Sequence, residues 1–358
     1  MTTAYINRIA TGVPPCDVHT AFVSYALSMF ARDGRRSIAL KRMIERSGIE
    51  HRYSFLSPAD DISGAALDAD AFYIRGHFPN TAARMRLFEK LAPELAAATI
   101  ARLDLGADRN RITHLIITSC TGLSAPGIDL ELIERCHLPT SVERTMIGFM
   151  GCYAAMNALK LSRHIVRSEP ASRVLVVNLE LCTLHFQETT DLEQVLCFLL
   201  FSDGCAACLV TAEPQGILLG DFKSMILPNT RGLMAWNIRD FGFDMVLSGA
   251  VPAAINDAIR ARSNEIFAAV PPEASINLWA VHPGGRTILD AVQAALCLPP
   301  AALAASRRVL RLYGNMSSAT VMFVMDELLC SAAKGAQGCA MSFGPGLVVE
   351  MMMFGIAG

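Results

Sequence analysis

The sequence predicts an α/β protein in which one structural scheme occurs twice, with mixed β-sheets layered between helices. The first observation is an alternation of short, buried strand patterns with longer helical patterns in both parts of the chain. The second is a composition of 52% hydrophobic and 18% charged residues over 358 positions, which is typical of a globular protein with a large core. We expect two halves, residues 1–213 and 214–358, with the boundary at the Glu-Pro-Gln-Gly segment.

The first half contains three apolar runs of strand length separated by helical patterns. Residues up to 110 are mainly helical after one early strand at 4–12, and residues 81–105 have the Ala-, Leu- and Glu-rich pattern of a long helix. The predicted strands are Ile112–Thr118, Val174–Leu179 and Cys205–Thr211. Between the first two of these strands lies a turn that feeds a helix at about residue 152.

The second half repeats the order of strand, turn, helix and strand. Strands are predicted at Ile276–His282, Cys339–Phe343 and Gly346–Met352, with helices at Thr287–Leu296 and from the 314–318 turn through Leu329. Because both halves place a polar residue at a turn that leads into an apolar helix, we interpret them as diverged copies of one unit. Central helices of the two copies would pack into one αβαβα core.

The net charge of the chain and the positions of its cysteines argue against several classes of function. The net charge is −2 and no long basic stretch occurs, so neither nucleic acid nor an anionic membrane surface is an expected partner. No apolar run reaches membrane-span length, and the N-terminus lacks a secretory pattern. Most of the eleven cysteines lie in apolar runs, as reduced cysteines do in a cytoplasmic protein. Cys205 and Cys208 point to opposite faces of a strand, which argues against a shared metal.

Cys152 is the first candidate for chemistry. It follows a glycine in MIGFMGCYAAMNAL, and small and apolar residues continue at helical spacing. This pattern predicts a thiol at the N-terminus of a buried helix, where backbone N–H groups and the helix dipole favour the nucleophilic thiolate. The alternative is that Cys152 is one more small core residue.

Two polar residues in the second half of the chain support a catalytic role for Cys152. His282 ends a hydrophobic strand immediately before Pro-Gly-Gly, and Asn315 lies in YGNMSSAT at a turn that leads into a helix. Each has a structural alternative, since a lone histidine is often structural and an asparagine at a turn often caps a helix. Together, the three residues occupy junctions from which side chains can converge on one pocket.

Four motifs, GFMGCYAAMNAL, WAVHPGGRTILDAV, YGNMSSAT and SFGPGL, resemble in order and spacing those of the type III polyketide synthases, the chalcone- and stilbene-synthase-like enzymes with the thiolase-like fold. The resemblance covers nearly the whole chain. It implies a catalytic triad of Cys152, His282 and Asn315, with Phe201 and Met245 as gatekeepers between a coenzyme A tunnel and a cavity. It implies coenzyme A contacts at Arg42, Arg46 and Thr287, a homodimer, and no metal or organic cofactor.

The resemblance also implies which side chains line the substrate cavity, and several depart from the plant pattern. Trp236 stands where plant relatives have a glycine, Met245 replaces a second gatekeeper phenylalanine, and Ala39 replaces a lysine that helps to hold coenzyme A. The expected lining residues are Cys120, Thr121, Ala125, Cys182, His185, Trp236, Ser317 and Phe343. Either these changes are neutral drift in a bacterial-type branch, or they reshape the cavity for a different starter.

The expected reaction follows from these residues. A starter acyl-CoA acylates Cys152, and malonyl-CoA then loses carbon dioxide while His282 and Asn315 donate hydrogen bonds to its thioester oxygen. Repeated extension and cyclisation release the product, for which a fatty acyl starter and an alkylpyrone or alkylresorcinol are expected.

Three alternatives remain at this point. An initiating ketosynthase of fatty-acid synthesis shares the triad but stops after one condensation. A papain-like hydrolase has Cys, His and Asn in the same order, although its sequence context differs. A non-catalytic acyl-CoA-binding relative would retain the fold alone.

Overall fold

A nine-stranded mixed sheet runs through the protein, as seen in a computed structural model that describes residues 2–267 and 276–358. Its strand order is β11-β12-β13-β8-β1-β7-β6-β4-β5. The strands are β1 (Tyr5–Gly12), β4 (His114–Ser119), β5 (Glu143–Gly148), β6 (Val174–Leu181), β7 (Asp203–Thr211), β8 (Gly216–Ile226), β11 (Ile276–Val281), β12 (Gln337–Gly344) and β13 (Val348–Ala357). Two separate ribbons pair β2 (Cys16–Asp17) with β3 (Tyr53–Ser54) and β9 (Met234–Arg239) with β10 (Gly242–Leu247).

The same series of strand pairings occurs in both halves of the sheet. In the first half, β1 and β6 are both antiparallel to β7, and β6 is parallel to β4. In the second half, β8 and β12 are both antiparallel to β13, and β12 is parallel to β11. The halves join where Tyr5 and Ile6 of β1 pair with Leu218 and Ile217 of β8. The predicted division at residues 213/214 falls between β7 and β8.

Helices form the other layers. They are α1 (His19–Met29), α2 (Gly34–Ser47), α3 (Thr81–Arg102), α4 (Ile128–Arg135), α5 (Ala154–Ser168), α6 (Leu192–Leu200), α7 (Val251–Ile266), α8 (Arg286–Ala295), α9 (Ala304–Tyr313) and α10 (Thr320–Ser331). Helices α5 and α10 share one buried cluster with both halves of the sheet and form the middle layer. Helices α3 and α4 pack on the outer face of the first half, and α7 and α8 on that of the second. The predicted duplicated αβαβα, thiolase-like fold is confirmed.

The two faces of β7 bear out one local prediction. Cys208 belongs to the cluster around the middle helices, whereas Cys205 belongs to the cluster under α3. The two thiols therefore lie on opposite faces of the sheet.

Within residues 2–267 and 276–358, no group of three or more His, Cys, Asp or Glu side chains is placed to hold a metal ion. No helix in the same ranges is long and apolar enough to cross a bilayer.

Several elements were not predicted from the sequence. Strand β5 carries mostly exposed side chains and lacks the apolar run of its neighbours. Strands β9 and β10 mix polar and apolar residues (MAWNIR and GFDMVL) and form a hairpin outside the main sheet. This hairpin matters because it supplies part of the cavity wall described below.

Candidate active site

Cys152 lies in a single 3₁₀ turn, Gly151–Tyr153, that leads directly into α5. The turn depends on Gly151, whose φ is +76° and whose missing side chain leaves room for Pro345. A Cβ atom on Gly151 would lie only 2.3 Å from Cδ of Pro345. The Gly151 N–H also donates a 3.0 Å hydrogen bond to Sγ of Cys120. The predicted position of the thiol, before the first turn of a buried helix, is confirmed.

The protonation state of Cys152 differs from the sequence expectation. Burial raises the pKa of the Cys152 thiol to about 12, and the nearby Glu180 carboxylate adds to the rise. Hydrogen bonds from the side chains of Ser317 and Asn315 oppose this rise in pKa but do not cancel it. The expected thiolate is therefore not the resting form, because loss of water around the sulfur outweighs the helix terminus.

His282 follows the last residue of β11 and is almost completely buried. Its backbone N–H donates to Met341 O, which continues the pairing of β11 with β12. Neither ring nitrogen has a hydrogen-bond partner among the described residues. Burial lowers the pKa of the imidazole to about 3, so the ring is neutral and can accept or donate a proton in the cavity.

Asn315 lies between α9 and the 3₁₀ turn that precedes α10. Its backbone forms an isolated bridge with Phe201, in which Asn315 N–H donates to Leu200 O and Ser202 N–H donates to Asn315 O, each at 2.9 Å. The Ser317 N–H donates to Oδ1 of Asn315 at 2.9 Å. Since Oδ1 is occupied in this way, the amide nitrogen is free to donate toward the thiol and an incoming oxygen.

The three side chains line one cavity of about 480 Å³, which we call the outer cavity. Further parts of its wall come from α2, α6, α7, α8, the β9–β10 hairpin and the loop after β10. Phe343, Arg46 and Thr287 belong to this lining, whereas Arg42 lies on α2 one turn before Arg46 and is exposed outside it. The contacts of Arg42, Arg46 and Thr287 with coenzyme A stay predictions.

A smaller space of about 40 Å³, the inner chamber, lies on the other side of Phe201 and Met245. Both gatekeeper side chains and Cys152 line the outer cavity and the inner chamber alike. Six expected residues line the inner chamber: Cys120, Thr121, Cys182, His185, Trp236 and Ser317. Cys152 thus lies at the junction of the two spaces.

Ala125 is the one expected cavity residue that lies away from both spaces. It is exposed in the loop between β4 and α4, at a cis peptide bond with Pro126. Ala125 stands where plant relatives carry a methionine that reaches across the dimer, so the resemblance implies a contact with the cavity of a partner subunit rather than with the chain's own. A role in the cavity of a partner subunit stays a prediction.

The hairpin of β9 and β10 supplies one wall of the inner chamber. Met245 and Trp236 are direct cross-strand partners, so their side chains lie next to each other on one face of the hairpin. The Trp236 Nε1–H donates to Cys120 O at 2.7 Å, which ties the hairpin to the loop after β4.

His185 makes a second connection to the same hairpin. Its ring stacks on Phe243 with the ring centroids 4.0 Å apart. Nδ1 accepts from Phe243 N–H at 3.0 Å, so Nε2 carries the proton that it donates to Thr121 O at 2.6 Å. Burial lowers the pKa of His185 to about 3. His185 is therefore a neutral, fully hydrogen-bonded part of the wall.

Glu180, at the end of β6, is a functional-site residue that sequence reasoning missed. Its buried carboxylate accepts from Cys120 N–H, Thr121 Oγ1–H and Ser318 Oγ–H. Burial raises its pKa to about 7 against these hydrogen bonds. The sequence could have identified Glu180, because it is an acidic residue in the apolar run VLVVNLEL. Acidic side chains are rarely buried in a core unless they are paired or hydrogen-bonded.

Comparison with known proteins places the chain in a family. The N-terminal domain profile of the chalcone and stilbene synthases matches residues 3–214, and the C-terminal domain profile matches residues 221–356. Bisdemethoxycurcumin synthase of Oryza sativa subsp. japonica is 33% identical over 98% of this chain and 92% of its own length. The α-pyrone synthesis polyketide synthase-like Pks18 of Mycobacterium tuberculosis is 31% identical over 99% and 92%.

A solved structure agrees with these relatives. The C-terminal type III polyketide synthase domain of Steely1 from Dictyostelium superposes with a TM-score of 0.89 at 26% identity, covering 99% of this chain and 100% of the domain. The chain therefore belongs to the chalcone and stilbene synthase family and is a type III polyketide synthase, an acyltransferase.

Proposed function

We propose that Cys152 carries the growing acyl chain and that the product is an alkyl-substituted α-pyrone made by two extensions with malonyl-CoA. The observation that carries the proposal is the shared lining of one cavity by Cys152, His282 and Asn315. The cavity also reaches cationic Arg46 of α2, which suits the phosphates of coenzyme A.

The first step is thioester exchange. The sulfur of Cys152 attacks the carbonyl carbon of the acyl-CoA, and its proton passes to the neutral ring of His282. The bond from the carbonyl carbon to the sulfur of coenzyme A breaks, and the proton then moves from His282 to that departing sulfur. The amide nitrogen of Asn315 donates to the oxyanion that forms during the exchange.

The second step makes the carbon–carbon bond. Malonyl-CoA loses carbon dioxide, and the electron pair left behind is shared with its thioester oxygen, which accepts hydrogen bonds from His282 and Asn315. The carbanion attacks the acyl group on Cys152, and the cysteine sulfur leaves as a thiolate, which takes over the negative charge as the new bond forms. For the next extension this thiolate attacks the thioester of the extended chain, and the sulfur of coenzyme A leaves and takes a proton from water. Since loss of carbon dioxide generates the carbanion, we propose that the enzyme needs no metal or organic cofactor and that the CoA thioesters are its substrates.

Two arguments favour a pyrone over a resorcinol. The inner chamber of about 40 Å³ is small, which favours few extensions, and a triketide can close through one of its own oxygens after only two of them. The name of the mycobacterial relative also refers to α-pyrone synthesis. A resorcinol would require a third extension and would have a different mass.

We also propose a homodimer. The sheet ends at β5, and several apolar side chains around this strand are exposed, including Met146. An unpaired edge with apolar neighbours is a common protein–protein contact.

The proposal is tested by replacing the nucleophile. With malonyl-CoA and octanoyl-CoA, we expect the wild type to make a triketide α-pyrone and Cys152→Ala to make none, as read by mass spectrometry. Cys330→Ala is the matched control because Cys330 is exposed near the end of α10 and lines none of the cavities described above, so this variant should retain the product.

The roles of the other two residues are measured in the same assay. Asn315→Ala and His282→Ala should each slow the release of carbon dioxide from malonyl-CoA on the order of a hundredfold, the usual scale for one oxyanion donor. Normal product formation by Cys152→Ala would show that another group carries the chain. A product that contains one extension only would indicate a ketosynthase of the initiating type.

A further inference from the structure

Helix α2 presents a strongly cationic surface to the solvent. Residues 32–46 contain six arginine or lysine side chains and two acidic ones, although the net charge of the whole chain is −2. The inner face of the helix packs on α1 and α6 through buried Leu40 and half-buried Ile44. All six cationic side chains are exposed, so this charge faces outward on a helix whose position is fixed by packing.

Three of these arginines lie along one line on the outer face of α2. At about 100° of rotation per residue, Arg42 and Arg46 lie within about 20° of Arg35 around the helix axis. We call these three residues the arginine row, and at 1.5 Å of rise per residue it is roughly 16 Å long. Ile38 lies beside the arginine row and is 55% exposed. The outer face of α2 therefore combines a line of positive charge with an exposed apolar side chain.

The arginine row ends at the mouth of the outer cavity. The exposed residues of the cavity lining mark its opening to solvent, and they include Arg46 of α2 and Arg286 and Thr287 of α8. Nη1 of Arg286 donates to Arg46 O at 3.4 Å, so the end of α2 and the start of α8 lie side by side at this mouth. A thioester that reaches Cys152 through this opening passes the end of the arginine row.

The arginines on the α9 side of the mouth are already paired with acidic residues. Arg307 lies 2.6 Å from a carboxylate oxygen of Asp290, and Arg311 lies 2.9 Å from one of Glu50. By contrast, the guanidinium groups of the arginine row make no ion pair with any residue in the described part of the chain. Unpaired positive charge is therefore available on the α2 side, where it can bind an acidic partner.

Coenzyme A accounts for only part of this surface. Its phosphates suit Arg46 at the mouth and Arg42 about one turn away, the two contacts predicted above. Arg35 lies about two turns beyond Arg42, and an anionic nucleotide gains nothing from exposed Ile38. A protein helix that carries acidic residues beside an apolar one matches both the charge and the apolar side chain of this face.

We propose that the outer face of α2 docks an acidic carrier protein, which delivers the starter acyl group on a phosphopantetheine arm. The inference rests on the proposed function and adds a partner to it. The arm enters beside Arg46, and the sulfur of Cys152 attacks the acyl carbonyl carbon. The bond from that carbon to the sulfur of the arm breaks, and the proton of Cys152 passes through His282 to the departing sulfur. The carrier protein then leaves with a free thiol, and malonyl-CoA supplies the extension units.

The test compares three starters with malonyl-CoA and the full chain at low salt. They are octanoyl-CoA, octanoyl-phosphopantetheine, and the same octanoyl arm attached to an acidic acyl carrier protein. In the wild type, kcat/KM for the carrier-bound starter should exceed that for the free arm on the order of tenfold or more, because the protein contacts add to binding of the arm. This advantage should shrink as salt is raised, since the contacts are between exposed charges.

Arg35→Glu separates the carrier protein from coenzyme A. It should lower kcat/KM for the carrier-bound starter on the order of tenfold and leave that for octanoyl-CoA unchanged. Because an acidic residue is favourable in the first turn of a helix, α2 should stay folded. Ile38→Ser removes the apolar contact without changing the charge and should also lower only the value for the carrier-bound starter. The control is Arg86→Glu, at an exposed position of α3, a helix that does not line the outer cavity.

Four outcomes would overturn a conclusion. A carrier-bound starter that is used no better than the free arm, or equally well by wild type and Arg35→Glu, would overturn the inference while pyrone formation from octanoyl-CoA upholds the proposed function. An equal loss with octanoyl-CoA in Arg35→Glu would assign the whole arginine row to coenzyme A. Sedimentation of the enzyme with phosphatidylglycerol vesicles, without use of the carrier, would assign it to a membrane surface. Failure of the wild type to extend any of the three starters would overturn the proposed function itself.

Discussion

Cys152 and His282 are both held in their neutral forms by burial. The pKa of the thiol is raised to about 12 and that of the imidazole is lowered to about 3, so neither group titrates between pH 5 and 9. New charge therefore appears in the site during the reaction itself, when the proton of the sulfur moves to His282 and when loss of carbon dioxide leaves negative charge on the thioester oxygen. A closed, dry site strengthens the hydrogen bonds that Asn315 makes to the oxyanion at that moment.

Glu180 gives a residue-scale prediction about pH and stability. Its pKa is about 7 in the folded protein, whereas an unperturbed glutamate titrates near 4.5. Between these values the folded state keeps a proton that the unfolded state has lost, so the free energy of unfolding falls as the pH rises toward 7. We expect a fall on the order of 1 kcal/mol per pH unit from this group, measured by urea denaturation at pH 5 and pH 7.

A comparison of variants separates the contribution of Glu180 to the pH dependence of stability from the contributions of other titrating groups. Asp203, which is also buried and has its pKa raised to about 7, contributes with the same sign in all variants. Glu180→Gln cannot titrate and should show a smaller fall in stability over this range. The control is Glu193→Gln, at an exposed position of α6. Parallel pH dependences in wild type and Glu180→Gln would contradict the assignment.

At the scale of elements, the β9–β10 hairpin sets the size of the inner chamber. It carries Trp236 and Met245 as cross-strand partners, and its position is fixed by the hydrogen bonds of Trp236 and His185 to the loop after β4. The hairpin is therefore a rigid wall rather than a loose cover. A change of one wall side chain should alter the chamber without moving the strands.

Trp236→Gly is expected to enlarge the inner chamber. The indole lines that space, and its removal leaves room for a longer folded intermediate. We expect the product distribution to shift toward products at least one two-carbon unit heavier, as measured by mass spectrometry. Ile238→Gly is the control, because it places the same flexible residue on the same strand at a position that is 55% exposed. Identical product profiles for wild type and Trp236→Gly would mean that another residue limits extension.

At the scale of the whole molecule, the sequence predicts the layered core but not the parts that depend on distant contacts. Apolar runs such as ITHLIIT identify buried strands, and the motif around Cys152 identifies the start of α5. Arg52 is an example of what the sequence cannot predict. Its hydrogen-bond partners, Phe198 and Phe201, are almost 150 positions away, so no local sequence pattern indicates that Arg52 holds the end of α6 in place. The hairpin was missed for a similar reason, because its alternation is weak and its inner face packs on separate loops.

The edge of the sheet at β5 leads to the last prediction, which concerns assembly. Apolar side chains at the surface gather around this strand, with exposed fractions of 43% for Leu123, 40% for Met146 and 37% for Met150. Strands β4, β6 and β7 of the first half are buried throughout, so the β5 edge is where a second subunit would cover apolar surface. We expect the wild type to elute as a dimer in size-exclusion chromatography with light scattering.

Met146→Asp should shift that population toward monomer, because the contact would then bury an unpaired carboxylate. Ile226→Asp is the control, since Ile226 is 70% exposed on β8 in the other half of the sheet, and it should leave the dimer intact. The turn that carries Cys152 begins directly after Met150, so loss of the dimer should also lower the rate of pyrone formation. A Met146→Asp variant that stays dimeric would move the interface away from β5, and the exposed position of Ala125 would then need another explanation.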